Sequence, residues 1–260
     1  LPRNALITGQ IRFKGNDLLA LKESEMRHIR GREIAMIFEQ PATCFNPVLT
    51  VGEQIAEAVR IHEKCPRRAS KTRTIELMEM VGIADPVRRY GQHPHEFSGG
   101  MIQRAMIAMA IAFEPPLLIA DEPTTSLDVT VQAQIIELLD NLKARLRTTL
   151  LLITHDLTVA SELCEQAAVM YAGSIVEKGP TKEVFGGPKH PYSRALLAAA
   201  SDDGSGVIRG TVPELTDLPA GCRFHPRCPL AQSLCREAMP AMENGVRCHR
   251  YQHSLAEARV

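Results

Sequence analysis

The sequence predicts an α/β fold built on a mostly parallel sheet, and three observations carry that prediction. Residues 117–120 and 149–154 are short, continuous apolar runs of strand length, as expected for strands covered on both faces. Residues 130–146, between them, place Val131, Ile135, Leu138, Leu139 and Leu142 on one helical stripe. Buried strands alternating with amphipathic helices imply parallel crossover connections.

The remaining elements rest on local signals. Residues 7–13 alternate apolar and polar before Gly15-Asn16, which predicts a strand and a turn. Residues 23–30 read as a short helix and 33–38 as a strand ending at Pro41. Thr50 and Glu53 have capping-box spacing and open a helix toward His62. Residues 70–81 read as a helix closed by Gly82. From Ser98, the rows Met101, Ala105, Met109 and Ile102, Met106, Phe113 give a wide apolar face, stopped by Pro115-Pro116. Residues 156–165 are helical, and 167–171 and 174–177 flank Gly173 as a hairpin. Asp202-Asp203-Gly204-Ser205-Gly206 is a linker signal, so a boundary is expected near residue 200. The tail beyond it is rich in Pro, Gly, Cys and Arg, builds little core of its own, and needs something else to hold it.

Composition narrows the function classes. With 260 residues, 45% of them apolar, the chain suits one large domain, or a domain with an appendage. Lys plus Arg equals Asp plus Glu at 30 each. A neutral chain argues against a general nucleic-acid binder, which needs excess positive charge to displace counterions. The longest strongly apolar stretch, 105–113, is too short to span a bilayer. No basic segment followed by an apolar run marks a secretory signal, so disulfides are the weaker reading of the seven cysteines.

Four constellations carry chemistry. The 117–120 run delivers Asp121 and Glu122 to the end of a strand, where open α/β sheets bind ligands. One carboxylate there can hold Mg²⁺ and the next can polarise a water; alone, the pair reads as a solvated acidic turn. Ser98-Gly99-Gly100 caps a helix whose bare N–H groups and dipole favour an anion; alone, it is a capped helix entry. Thr154-His155-Asp156 ends a strand with a histidine able to reach a terminal phosphate, or simply to serve the fold. Ser126-Leu127-Asp128 comes just after the acidic pair and alone reads as a polar loop before a helix.

The order and spacing of these four resemble an ATP-binding cassette (ABC) ATPase. Phe97-Ser98-Gly99-Gly100-Met101-Ile102-Gln103-Arg104 resembles the family signature, 117–123 the Walker B strand, Ser126-Leu127-Asp128 the D-loop, and His155 the switch histidine. Met36-Ile37-Phe38-Glu39-Gln40-Pro41, Asn46-Pro47, Met170-Tyr171-Ala172-Gly173 and His190-Pro191-Tyr192 resemble the oligopeptide/dipeptide/nickel importer branch. The resemblance implies an ABC-type P-loop NTPase core over 1–200, with a helical subdomain at about 48–113, and an importer-type extension over 201–260. It implies ATP and Mg²⁺ as ligands, Glu122 as general base, Asp121 as Mg²⁺ ligand and His155 on the γ-phosphate. Ser98, Gly99, Gly100 and Asp128 join the nucleotide-binding set by serving a partner's nucleotide, and Gln103 joins it as part of the signature. The branch usually places glutamine directly after phenylalanine, so the Q-loop role falls by type to Gln40 and by position to Glu39.

No Gly-x-x-x-x-Gly-Lys-Ser/Thr loop, and no Gly-Lys dipeptide, occurs in these residues, and Leu1 is not methionine. The segment 7–19 resembles the stretch that lies just beyond that loop and its helix in the family. The expectation is a sequence that begins after the loop and, as written, binds ATP poorly. The implied partners are a second ATPase subunit, identical or different, two transmembrane permease subunits and, indirectly, an extracytoplasmic substrate-binding protein. No nucleic acid is implied. The implied place is the cytoplasmic face of the bacterial inner membrane, peripherally. The alternative is a non-catalytic subunit that only lends its signature to a partner.

Cys222, Cys228, Cys235 and Cys248 crowd the core-poor tail without the paired spacing of common zinc sites. Four thiolates there suggest a metal that supplies folding energy. The resemblance suggests a 4Fe–4S cluster on these four residues, with zinc as the alternative and His225 and His249 as substitute ligands.

Overall fold

A computed structural model describes residues 6–125, 127–200 and 208–252. The chain divides into two compact units, Leu1–Ile153 and Thr154–Val260.

The first unit opens with β1 (Arg12–Phe13) and β2 (Asn16–Asp17), paired antiparallel around Lys14-Gly15. The predicted strand over 7–13 thus shrinks to two residues. Strand pairing ends at Arg12: beyond it the Ile11 carbonyl accepts the Leu18 N–H (2.7 Å), and the Asp17 carboxylate takes the Ile11 and Leu19 N–H groups. Then come α1 (Glu23–Ile29), β3 (Ile34–Ile37), α2 (Pro41–Cys44), α3 (Val51–Glu63), α4 (Arg67–Met80), α5 (Pro86–Arg89), α6 (Gly99–Ala110), β4 (Leu117–Asp121), α7 (Val129–Leu146) and β5 (Thr149–Ile153). Thr50 caps α3 by accepting the Glu53 N–H, as its spacing predicts. Glycine at position 52 lets the start of α3 lie directly on Tyr90, whose ring and carbonyl leave no room for a Cβ.

β3, β4 and β5 form a three-stranded parallel sheet in that order. Ile37 aligns with Ala120, and Asp121 with Ile153, so the strands end level with one another. Right-handed crossovers through α2–α6 and through α7 are the rule for such connections. One continuous core joins the sheet (Ile37, Leu118) to α3 (Ile55), α4 (Leu77, Met78), α6 (Ile107) and α7 (Ile135, Leu139). β5 is an edge strand, with Leu151 and Ile153 about half exposed.

The second unit contains α8 (Leu157–Leu163), the antiparallel hairpin β6 (Gln166–Tyr171) and β7 (Ser174–Pro180), α9 (Thr181–Gly186), α10 (Pro191–Ala200) and α11 (Ser233–Glu237). The cysteine-bearing tail adds little core of its own and is held by one it shares with the preceding elements: Phe224 is fully buried against Tyr171 and Tyr192. Burying such a ring contributes about 2 kcal/mol. The tail also pairs with β7 through Lys178 N–H to Gly245 O (2.8 Å) and Arg247 N–H to Val176 O (2.8 Å). Gly245 has φ of +78°, and a Cβ there would strike the Lys178 carbonyl.

His190 lies in this unit, buried, with Nδ1 accepting the Tyr192 N–H (3.0 Å). Burial pushes its pKa down from 6.5 to about 4. The folded imidazole is therefore neutral where the unfolded one still binds a proton. Stability is full above the unfolded value and falls as pH drops toward the folded one, by about 3 kcal/mol in all. Urea melts of the wild type from pH 7 to pH 4 should show that loss. His190→Asn, which keeps an acceptor for Tyr192, should flatten it; an equally steep profile in the variant would assign the loss elsewhere.

Candidate active site

β4 carries its two carboxylates out of the sheet at its C-terminal end. Asp121 is the last strand residue and stands opposite Ile153. Glu122 follows with φ of +46°, the left-handed region that costs a side-chain-bearing residue about 1–2 kcal/mol. Local bonds hold it there. The Glu122 N–H donates to Ile153 O (2.9 Å), and the Thr125 N–H donates to Glu122 O (3.2 Å). The Thr125 hydroxyl donates to Glu122 Oε2 (3.1 Å). Both carboxylates are half-buried. Thr125 is absent from the sequence-predicted set; its signal is a hydroxyl three residues beyond the glutamate, in a turn made rigid by Pro123.

The signature segment forms the entry to α6. Ser98 is its N-cap, and Oγ accepts the Met101 N–H (3.3 Å). Gly99 and Gly100 occupy the first turn, where N–H groups lack an intrahelical acceptor. Gly100 also has a packing reason: a Cβ there would sit 2.6 Å from Val131 Cγ1 on α7, and one on Gly99 would sit 3.6 Å from Leu127 Cδ2. Asp128 is the N-cap of α7 and accepts the Val131 N–H (3.0 Å). Two caps and two glycines thus bring the starts of α6 and α7 together. Ser126 lies outside the described residues. Gln103 sits apart from this exposed entry: it is 2% exposed, and its Nε2 donates to Pro123 O (2.8 Å).

Glu39 and Gln40 are both exposed in the turn from β3 into α2. Gln40 is the α2 N-cap through its backbone, with its carbonyl accepting the Thr43 N–H (3.2 Å) and hydroxyl (2.7 Å). The aligned strand ends place this turn and the Asp121–Glu122 turn on the same edge of the sheet. His155 belongs to the second unit and is exposed. Its neighbour Asp156 caps α8 by accepting the Thr158 (2.9 Å) and Val159 (3.3 Å) N–H groups.

The four tail cysteines line one cavity, with Phe224 at its wall. Cys222 N–H donates to Cys235 O (2.9 Å), joining two of them through the backbone. All four are free thiols, and burial raises the pKa of Cys222 and of Cys228. The assembled ligand set expected from the sequence is not formed. Among the described residues, no three His, Cys, Asp or Glu side chains are placed to hold a metal ion. The substitute histidines are committed elsewhere, His225 Nδ1 to Cys222 O (3.0 Å) and His249 Nε2 to Ala238 O (2.9 Å). The donor chemistry, four thiols on one cavity, suits a thiolate-bound group.

Comparison with known proteins bears on this arrangement. Residues 3–125 match the family model described as ABC transporter, and 176–235 match that of the oligopeptide/dipeptide transporter C-terminal region. A relative from Sinorhizobium fredii, named "Probable peptide ABC transporter ATP-binding protein y4tR", is 50% identical over 250 residues, spanning 93% of this chain and 75% of the relative. The dipeptide transport ATP-binding protein DppD of Haemophilus influenzae is 49% identical over 248 residues, spanning 92% and 75%. A solved dimeric ATP-binding cassette, bound to ADP and phosphate after hydrolysis, superposes with a TM-score of 0.60 at 26% identity, covering 67% of this chain and 74% of that one. With half its residues shared along nine-tenths of its length, the chain belongs to the family of ABC transporter ATP-binding proteins.

Proposed function

We propose that this chain is the ATP-hydrolysing subunit that energises a bacterial di- or oligopeptide importer. The observation that carries the reading is the strained, hydrogen-bonded turn that presents Asp121 and Glu122 at the end of a parallel strand. In this reading Asp121 would hold Mg²⁺, whose charge would offset that of the transferring phosphoryl group when bound. Glu122 accepts the proton of the attacking water, with its carboxylate oriented by the Thr125 hydroxyl on Oε2. In this reading Gln40 contacts the nucleotide and its Mg²⁺, and His155 contacts a γ-phosphate. Ser98, Gly99, Gly100 and Asp128 serve the nucleotide of a second ATPase subunit, through the first-turn N–H groups of α6.

Peptide as cargo is supported by the names of the relatives, which include a dipeptide transport protein, and by the peptide-transporter tail over 176–235. The partners in this reading are the second ATPase subunit, two permease subunits and, through them, an extracytoplasmic binding protein. No helix among the described residues is long and apolar enough to cross a membrane, and in this reading the chain docks peripherally, on the cytoplasmic face of the inner membrane. We place the ATPase domain at 1–200 and the importer extension at 201–260. The test is uptake of a labelled dipeptide by vesicles carrying the assembled importer. Uptake should require ATP and this subunit, and uptake that proceeds without either contradicts the proposal.

For the cysteine cavity we propose a 4Fe–4S cluster, with zinc as the alternative. Support comes from four thiols lining one cavity in a short tail. Protein purified without oxygen should be brown and lose its colour in Cys228→Ser. Colourless protein with stoichiometric zinc would refute the cluster.

A further inference from the structure

Gln103 stands out because α6 is apolar almost all round, yet carries this one amide fully inside. Its neighbours Ile102, Ala105, Met106 and Ile107 are all buried. A buried amide left without a partner costs about 1–3 kcal/mol, so an inward-facing glutamine needs a specific acceptor. It has one: the carbonyl of Pro123, at 2.8 Å, the residue directly after Glu122. Pro123 has no N–H with which to brace the turn from its own side. The residue before it sits at φ of +46°, a conformation that persists only where surrounding contacts impose it. Arg104, next to Gln103, fixes the other flank of α6 by donating to Val81 O (2.6 Å) and Gln134 Oε1 (3.1 Å). The helix is therefore a braced body, and Gln103 is its strut to the acidic turn.

We infer that Gln103 is a positioning residue: its amide ties the Ser-Gly-Gly helix to the Pro123 carbonyl and so holds the Glu122 carboxylate in place for proton transfer. This differs from the nucleotide contact that the signature resemblance implies for it: in the structure Nε2 donates to the Pro123 carbonyl. The inference rests on the reading of Glu122 as general base. It adds that one hydrogen bond links the helix serving the partner's nucleotide to the turn serving this chain's own. A shift of the α6 entry as it engages that nucleotide would be carried to Glu122.

The test compares Gln103→Met and Gln103→Glu in the assembled importer. Methionine keeps the length and apolar volume but donates nothing. Its kcat for ATP should fall about tenfold or more while KM stays near the wild-type value, since the bond orients the base without touching substrate. Hydrogen exchange at the Thr125 amide should be faster in the same variant. Glutamate is isosteric and donates only when protonated, which burial favours. Relative to wild type, its kcat should recover as pH is lowered from about 8 to about 6, toward and through the range of raised buried carboxyls, while that of the methionine variant should not. The inference is overturned if Gln103→Met retains wild-type kcat and Thr125 exchange, or if Gln103→Glu follows the methionine profile, which would reduce the side chain to a packing role. A wild-type importer that releases no phosphate from ATP would instead overturn the ATPase reading itself.

Discussion

Replacing Glu122 by glutamine should abolish most phosphate release by the assembled importer without changing its affinity for ATP. A positioned general base contributes about 10²–10⁴-fold to such a step. Glutamine keeps the size of the side chain and can still accept from the Thr125 hydroxyl, but it cannot take a proton from water. The backbone cost is shared by both residues, because neither is glycine and both must occupy φ of +46°. The loss should therefore appear in kcat, with KM and the melting temperature unchanged. The same variant separates the two roles open to a cassette subunit. If the chain only lent its α6 entry to a partner, Glu122→Gln would leave turnover untouched.

Gly100→Ala should destabilise the first unit by about 1–3 kcal/mol, the usual cost of forcing an extra carbon into a packed contact. The new Cβ would lie 2.6 Å from Val131 Cγ1, well inside contact distance, and both groups belong to helices anchored by their own caps, Ser98 and Asp128. Val131→Ala should restore most of the loss, so a double-mutant cycle by urea unfolding should show strong coupling between positions 100 and 131. Additive effects would mean that α6 and α7 part freely at this point. Turnover should fall with the single change and recover only in part with the pair, because the first-turn N–H groups would be displaced.

Much of this was legible in the sequence, for physical reasons that differ between elements. β4 was readable because a strand covered on both faces needs only a run of apolar residues, and 117–121 supply it beside an abrupt acidic end. α3 and α6 were readable from caps, which are local hydrogen bonds between residues three apart. Residues 7–13 misled because alternation describes a strand's faces, not its partner, and pairing stops at Asp17. The role of Gln103 was hidden because its acceptor lies 20 residues away. The available signal was the one amide side chain in a helix whose other residues, Arg104 apart, are apolar or glycine. The tail was harder still. Its Phe224 packs on Tyr171 and Tyr192, contacts set by tertiary structure, so a reading based on composition asked cysteine ligation to supply the whole of its stability. The positions of the four cysteines were legible, and their failure to converge on a metal geometry was not.

The central claim is that the acidic turn at the C-terminal end of β4 is the hydrolytic half of an ATPase site whose phosphate-binding loop is not among residues 1–260. Phosphate release from Mg²⁺-ATP by the assembled importer, with peptide-loaded binding protein present and absent, tests it most directly. The expected result is Mg²⁺-dependent release, stimulated by peptide and lost in Glu122→Gln. Release that is absent from the wild type, or that persists at the wild-type rate in Glu122→Gln, would contradict it.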